Sequence, residues 1–270
     1  LVLILAGLGT LFFLPPIRLE NVAREIAASA IYFQNILLYL QESDYLSQDL
    51  AESPFKHYWS LSIEEQFYIF WPLLLGLVFI VVKKAAAYPR TTMIWTTGAV
   101  LAVSLICSVW VTPQDSAGAY FLPHTRFWEL AAGGMLALLF PALPANSRWY
   151  APFSWLGVAA VLFAAFAFDE TTRFPGYAAL LPVAGALILL TTGRDPGSWT
   201  ASGLLSVAPA RYLGDISYSL YLWHWPLITF YLAWEGTSPN WLAGLGVIAV
   251  SVLLSDLTKR LVEDPLRVSP

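Results

Sequence analysis

The chain has 270 residues, of which 58% are hydrophobic and only 12% are charged. So few charged side chains cannot coat a water-soluble particle of this size, so the composition excludes an ordinary soluble protein and indicates that lipid surrounds it. The net charge of −4 excludes a nucleic-acid partner, which would require a basic face. The single cysteine, Cys107, excludes intrachain disulfides and thiolate metal clusters.

The apolar stretches between short charged gaps have the length that about 30 Å of hydrocarbon requires of a helix. We therefore predict an all-α fold, a polytopic integral membrane helical bundle of about eight transmembrane helices plus one interfacial or re-entrant helix. In chain order the predicted spans are Leu1 to Leu14, Tyr58 to Val82, Met93 to Val111, His124 to Phe140, Pro152 to Phe168, Gly176 to Leu190, Tyr212 to Trp234 and Trp241 to Leu257.

The stretch Leu19 to Leu40 is the predicted interfacial or re-entrant helix. Its polar residues are Glu20, Arg24, Glu25, Gln34 and Asn35. Its apolar residues on one helical stripe are Ile26, Ala30, Phe33, Leu37 and Leu40. A polar helix with one apolar stripe suits the membrane surface better than a full crossing, although the sequence leaves the crossing open.

No internal repeat, low-complexity tract or polar linker interrupts the chain. We therefore predict one membrane domain over residues 1–270, with no soluble domain. The chain opens on Leu1 within an apolar run, without a charged region ahead of it or a small-residue cleavage site behind it. This beginning predicts a fragment that is incomplete at its N-terminus.

The distribution of lysine and arginine predicts the orientation. The gap with Lys83, Lys84 and Arg90 is taken as cytoplasmic because short cytoplasmic loops carry an excess of these residues. Alternating sides from there, the segment Gln41 to His57 becomes an outside loop and the C-terminus is cytoplasmic.

The run from His57 to Tyr68 leads into an apolar helix that Pro72 is expected to kink. Ser62 and Glu65 have the spacing of a capping box at the outer end of that helix, which gives Glu65 a structural explanation. Glu64 has no such explanation. With Tyr68 one turn later, it is a candidate acid, base or hydrogen-bond acceptor in a polar cavity. His57 is either part of that chemistry or an ordinary loop histidine.

Arg126 and Glu129 are three residues apart, so they share one helical face. Either they form a structural ion pair, or Arg126 offers an anion-binding fork within a cavity. The structural interpretation is favoured. The following Gly133-Gly134 is predicted to let another helix approach closely.

Ser217, Tyr221 and His224 occupy positions i, i+4 and i+7 of a predicted span and form one polar stripe. On one continuous helix, His224 lies about 13 Å along the axis from Asp215, near the middle of the membrane. A single membrane histidine is often only an interhelical hydrogen bonder. These residues alone predict a polytopic protein with a polar interior path, which fits a transporter nearly as well as an enzyme.

A resemblance separates the two. The run His57 to Tyr68, His-Tyr-Trp-Ser-Leu-Ser-Ile-Glu-Glu-Gln-Phe-Tyr, with Trp71 and Pro72 after it, resembles the signature of acyltransferase family 3, the bacterial O-antigen and polysaccharide acetylase type. Further stretches are similar to family segments in the same order: Thr125 to Leu130 with Gly133-Gly134, Leu213 to Pro226, and Val262 to Arg267.

The resemblance implies transfer of an acyl group, commonly acetyl from acetyl-CoA or another acyl-CoA, to a hydroxyl of a cell-surface glycan or lipid-linked saccharide. It implies a bacterial inner membrane, the lipid bilayer as a partner, no metal and no bound cofactor. It also implies an upstream helix with an arginine and a catalytic histidine, which this sequence does not contain. We therefore expect an incomplete active site and no acyl transfer by the chain alone.

Supporting roles remain for residues in this chain. Glu64, Glu65 and His57 are the predicted catalytic group, with the glutamates positioning the acceptor or the base. The predicted substrate-binding residues are Arg126, Glu129, Ser217, Tyr221 and His224. The alternative function is a transporter or flippase of a small or lipid-linked substrate. The acceptor, the acyl group and the oligomeric state are not specified by the sequence.

Overall fold

The computed structural model describes residues 1–42, 53–82, 85–142, 149–169, 171–193 and 199–268. Over these residues the chain forms α-helices joined by turns, with short 3₁₀ and π segments and no strand. The residues fall into two compact units. The first comprises Leu1–Ser62 and Ala208–Pro270, and the second comprises Ile63–Val207.

The first unit begins with the helices α1 (Val2–Phe13), α2 (Leu19–Ala30) and α3 (Gln34–Glu42), followed by the start of α4 (Tyr58–Val81). The C-terminal part of the chain adds α11 (Ala208–Asp215), α12 (Ser217–Glu235), α13 (Trp241–Thr258) and α14 (Asp264–Val268). Helix α12 packs on both α1 and α13. A Cβ added to Gly9 of α1 would lie 2.9 Å from the Phe230 ring, so the small residue permits this close contact.

The second unit continues α4 from Ile63 and adds α5 (Pro89–Val111), α6 (Ser116–Phe121) and α7 (Phe127–Leu139). It ends with α8 (Tyr150–Ala167), α9 (Leu180–Thr192) and α10 (Ala201–Leu205). Helices α8 and α9 pack closely, since a Cβ on Gly157 or on Gly185 would lie 2.9 Å from the other glycine's carbonyl oxygen. Helices α5 and α7 are joined by the Ser104 hydroxyl, which accepts a 2.9 Å hydrogen bond from the Trp128 amide.

Four helical segments are long and apolar enough to cross a membrane: Tyr58–Val81, Pro89–Val111, Tyr150–Ala167 and Trp241–Arg267. Three shorter apolar helices, of 12 or 13 residues, are Val2–Phe13, Phe127–Leu139 and Leu180–Thr192. The prediction of an all-helical integral membrane protein is confirmed to this extent. The count of about eight spans stays a prediction, as does the single domain over the whole chain.

The predicted helix Leu19 to Leu40 is wrong as one element, because α2 ends at Ala30 and α3 starts at Gln34. Tyr32 adopts φ 57 in the left-handed region, and the Phe33 amide bonds the Ala28 carbonyl, which is the geometry of a helix C-terminal cap. The predicted apolar stripe is broken there. Phe33 and Leu40 are 54% and 59% exposed, whereas Ile26 packs against the core.

Two other predictions need correction, and a third lies mostly outside the described residues. The span Tyr212 to Trp234 is divided at Ile216, between α11 and α12, so the distance from Asp215 along one straight helix does not apply. The close approach at Gly133-Gly134 is wrong for Gly133, because a Cβ there would meet no atom within 4 Å; the close approach is at Gly157 and Gly185 instead. Most of the predicted outer loop, Gln41 to His57, lies outside the described residues. Lys83 and Lys84 of the predicted cytoplasmic gap lie outside them as well.

Candidate active site

A short strap, defined as residues 53–57, leads into α4 and ends at His57. Pro54 and Phe55 of the strap are fully buried in the first unit. Two side chains of α12 hold the strap by its backbone. The Trp225 indole donates a 2.8 Å hydrogen bond to the Ser53 carbonyl, and the Tyr221 hydroxyl donates a 2.5 Å hydrogen bond to the His57 carbonyl. The strap and α12 therefore form one hydrogen-bonded assembly.

Three aromatic side chains meet where the strap enters α4, and we call His57, Tyr221 and His224 the histidine cluster. The ring centroid of His57 lies 5.3 Å from that of Tyr221 and 5.8 Å from that of His224. The Ser60 oxygen lies 2.5 Å from the Tyr221 oxygen. Because the single Tyr221 proton is directed at the His57 carbonyl, Ser60 is the donor in that contact.

The backbone of α12 determines which nitrogen of His224 carries a proton. Its Nδ1 lies 2.7 Å from the Tyr221 carbonyl oxygen and 3.1 Å from the Leu220 carbonyl oxygen. Carbonyl oxygens only accept hydrogen bonds, so Nδ1 is the protonated nitrogen. In neutral His224, Nε2 then carries the lone pair and is the nitrogen that accepts a proton or a hydrogen bond.

His57 is buried, and neither of its ring nitrogens makes a hydrogen bond of ordinary geometry, although the backbone of Leu222 and Pro54 lies near the ring. Burial, and secondly the proximity of His224, lower the pKa of His57 to about 3. His57 is therefore neutral at pH 7 and has one donor and one acceptor to offer. An unpaired buried imidazole is costly, which makes it a candidate for contact with a polar ligand.

The predicted polar stripe on α12 is only partly gathered in this cluster. Tyr221 and His224 belong to it, whereas Ser217 lies exposed in the first turn of the helix. The buried serine of that turn is Ser219, whose hydroxyl bonds Glu263 at 2.5 Å. The role of Ser217 in substrate binding stays a prediction.

Glu64 and Glu65 lie half-buried on α4 within the second unit. The predicted capping box of Ser62 and Glu65 is wrong, because α4 begins at Tyr58 and the Ser62 hydroxyl donates 3.0 Å to the Tyr58 carbonyl inside the helix. Glu65 therefore has no capping role, and like Glu64 it remains a candidate for the chemistry. The catalytic roles of both residues stay predictions.

Arg126 precedes the first residue of α7 and forms the predicted ion pair with Glu129, at 2.8 Å between Nη1 and Oε1. The two side chains are 12% and 24% exposed. The guanidinium also lies over two aromatic rings, 5.6 Å from the centroid of Tyr120 and 5.3 Å from that of Phe174. The predicted ion pair is present in the structure, and both its structural role and its alternative role in substrate binding stay predictions.

Within the part of the chain that the structure describes, His, Cys, Asp and Glu side chains form no group of three or more that would hold a metal ion. The histidine cluster contains two imidazoles and a phenol, which suit proton transfer and hydrogen bonding.

Comparison with known proteins places this geometry in a family. A sequence model of acyltransferase family 3, described as an acyltransferase domain, matches residues 24–260. The chain belongs to this acyltransferase family. The match includes the strap, α4, α12 and therefore every residue of the histidine cluster. The recognition of the family from its motifs is thus confirmed.

Several curated relatives of this acyltransferase family member are bacterial. The peptidoglycan O-acetyltransferase OatA of Listeria monocytogenes is 30% identical over 96% of this chain and 42% of its own length. The putative peptidoglycan O-acetyltransferase YrhL of Bacillus subtilis is 30% identical over 92% and 40%. A putative O-acetyltransferase of Staphylococcus aureus is 28% identical over 98% and 44%. The chain thus spans less than half of each relative, and no solved structure matches it significantly.

Sequence reasoning about this family member did not place His57 beside His224. The two residues lie in family-like segments at opposite ends of the chain, and nothing in their local spacing indicates a contact. The available signal was that each is a histidine in a polar position next to an apolar stretch. Only the packing of α12 on the strap joins them.

Proposed function

We propose that the chain is the acyltransferase domain of a membrane-bound O-acetyltransferase that acetylates a hydroxyl of a cell-wall glycan. The family membership supports acyl transfer, and two relatives named as peptidoglycan O-acetyltransferases support the glycan acceptor. The single structural observation in favour is the histidine cluster, in which Nε2 of His224 carries a lone pair beside the buried His57. A transporter would leave no acylated product, which separates the two functions experimentally.

The proposed donor is acetyl-CoA or another acyl-CoA. The acceptor oxygen attacks the thioester carbonyl, the new C–O bond forms, the C–S bond breaks, and the thiolate leaves. The proton of the acceptor hydroxyl must move to a base and then to the thiolate. The family resemblance implies an upstream histidine as that base. In this chain, His224 orients the acceptor hydroxyl by accepting its hydrogen bond at Nε2, and His57 supports the proton transfer. The predicted partners in binding and positioning are Glu64, Glu65, Arg126, Glu129, Ser217 and Tyr221.

The same proposal includes the setting of the reaction. The chain forms one membrane domain of about eight spans in the bacterial inner membrane, with the C-terminus cytoplasmic. The three shorter apolar helices and α12 supply the spans beyond the four long ones.

A cysteine replacing Thr171 should react with an impermeant reagent from outside, and one replacing Ala86 only after permeabilisation, in a Cys107→Ala background. The reverse pattern would contradict the orientation.

The function is tested by transfer of labelled acetyl from acetyl-CoA to a glycan acceptor in membranes that contain the protein. In membranes that contain the whole protein, and not this chain alone, we expect acetylated product and a large loss with His224→Ala. The matched control is His124→Ala, which removes the third histidine of the chain outside the cluster. Uptake or release of a saccharide without any acylated product would favour the transporter instead. Equal loss with both alanine variants would contradict the role of the cluster.

A further inference from the structure

Helix α2 carries a buried carboxyl group for which the proposed reaction has no role. Glu25 is only 6% exposed, whereas Glu20 and Arg24 pair with each other on the exposed face of the same helix. The Ser53 hydroxyl donates a hydrogen bond to the Glu25 carboxylate. Ser53 is the first residue of the strap, so this bond links α2 to the segment that ends at His57.

The strap is consequently held from two sides. From α12, Trp225 and Tyr221 bond the carbonyl groups of its first and last residues. From α2, the Glu25 carboxylate accepts the hydrogen bond of the Ser53 hydroxyl. The Ser53 oxygen itself accepts a 3.2 Å hydrogen bond from the Phe55 amide. The Glu25 contact therefore also stabilises the turn inside the strap. Without it, contacts from one side alone would resist the movement of the strap away from the core.

We propose that Glu25 is a positioning residue, which clamps the strap through Ser53 and thereby holds the buried His57 ring in contact with Tyr221 and His224. Glu25 acts through Ser53 and does not touch the reacting groups. The inference extends the proposed function, because it assigns a residue that prepares the same site. The clamp itself is a matter of geometry, and it can be tested without any acyl transfer.

The charged and titratable groups around the clamp define the expected sign of the effect. Arg18 and Lys56 are the cations that act on Glu25, while Tyr58, Tyr221 and His224 face His57. Removing a carboxylate near a histidine favours the neutral imidazole and so lowers or maintains its pKa. Releasing the strap admits water to the ring and raises its pKa. A rise therefore identifies a positioning effect and excludes a direct electrostatic one.

The experiment is NMR titration of isotope-labelled histidine in the chain, in lipid nanodiscs. With three histidines in the sequence, His57 is assigned by its loss in His57→Gln. In the unaltered chain we expect His57 to stay neutral between pH 5 and 8. Glu25→Ala and Ser53→Ala should each raise its pKa by two or more units, toward the ordinary value of about 6.5. Glu25→Gln keeps an acceptor for Ser53 and should preserve the unaltered titration.

The control is Glu20→Ala, which removes an exposed acid from the same helix and should not change the titration of His57. An unchanged His57 in a folded Glu25→Ala variant would overturn the proposal. So would a Glu25→Gln variant that behaves like Glu25→Ala, because the hydrogen bond would then not be the cause. Loss of the folded spectrum in both alanine variants would also overturn it, since Glu25 and Ser53 would then support the whole fold rather than the strap.

Discussion

Two polar clusters among the described residues, the Arg126–Glu129 pair and the histidine cluster, differ in the partners that their groups have. In the second unit, Arg126 is matched by Glu129 and enclosed by two aromatic rings. In the first unit, neither ring nitrogen of His57 makes a hydrogen bond of ordinary geometry, and His224 has one nitrogen committed to the backbone and one with a lone pair. The two charges of the ion pair match each other, whereas the histidine cluster keeps hydrogen-bonding capacity for a ligand. We therefore expect the histidine cluster to take part in the chemistry and the ion pair to serve the fold.

The largest expected effect follows from removing the base-like nitrogen. His224→Ala should lower the rate of acetyl transfer by about 10²- to 10⁴-fold, the usual cost of losing a positioned acid or base. The rate is measured per amount of folded protein in membranes. A loss of protein level that accounts for the whole decrease would mean that His224 serves the fold, and the contrast between the clusters would disappear.

Breaking the ion pair should act on stability instead. Arg126→Met leaves the mostly buried Glu129 without its cation, which typically costs about 3–5 kcal/mol of unfolding free energy. The double variant Arg126→Met with Glu129→Leu should recover most of that loss, because no charge remains unpaired. The measurement is unfolding in detergent, with acetyl transfer assayed alongside. A stable double variant that cannot transfer acetyl would instead support substrate binding by this pair.

Acidification should destabilise the first unit through His57. Its pKa is about 3 in the fold and about 6.5 in an unfolded chain, so between these values only the unfolded chain binds the proton. The contribution of neutral His57 to the free energy of unfolding is complete above pH 6.5 and declines as the pH falls toward 3. From pH 7 to pH 5 the loss is about 2 kcal/mol. It is measured as the difference in unfolding between the unaltered chain and His57→Gln, and the same pH dependence in both would contradict it.

The smallest expected effect is a difference in stability between two glycine-to-alanine variants of the second unit. Gly157→Ala places a Cβ 2.9 Å from the Gly185 carbonyl oxygen, and the resulting overpacking should outweigh the better helix propensity by about 1 kcal/mol. Gly133→Ala meets open space and should stabilise by up to about 1 kcal/mol. Thermal unfolding of both variants tests this. Equal effects would mean that the α8–α9 contact is not close-packed.

Local pattern predicted much of the helical structure. The predicted Tyr58 to Val82 corresponds to α4 within one residue, and Trp241 to Leu257 corresponds to α13 equally well. Long apolar runs are reliable because the hydrocarbon requires both their length and their composition. The failures lie at Tyr32, where no glycine or proline in Leu19 to Leu40 indicates the break, and at Ile216, two residues after Gly214.

Capping predictions failed for a related reason. Ser62 and Glu65 have the right spacing for a capping box, but spacing does not determine which residue starts the helix. The strap residues Pro54 and Phe55 are buried, and α4 begins directly after them at Tyr58. The start of the helix therefore depends on tertiary packing in the first unit.

The sequence by itself determined that the chain is helical, that lipid surrounds it, and to which family it belongs. These properties reside in composition, in the length of apolar runs and in contiguous motifs, all of which are local. The tertiary structure decided which polar residues meet. His57 and His224 are joined only because α12 packs on the strap, and Glu25 reaches the strap only because α2 folds back beside it. Such contacts depend on long-range packing, which local periodicity does not predict.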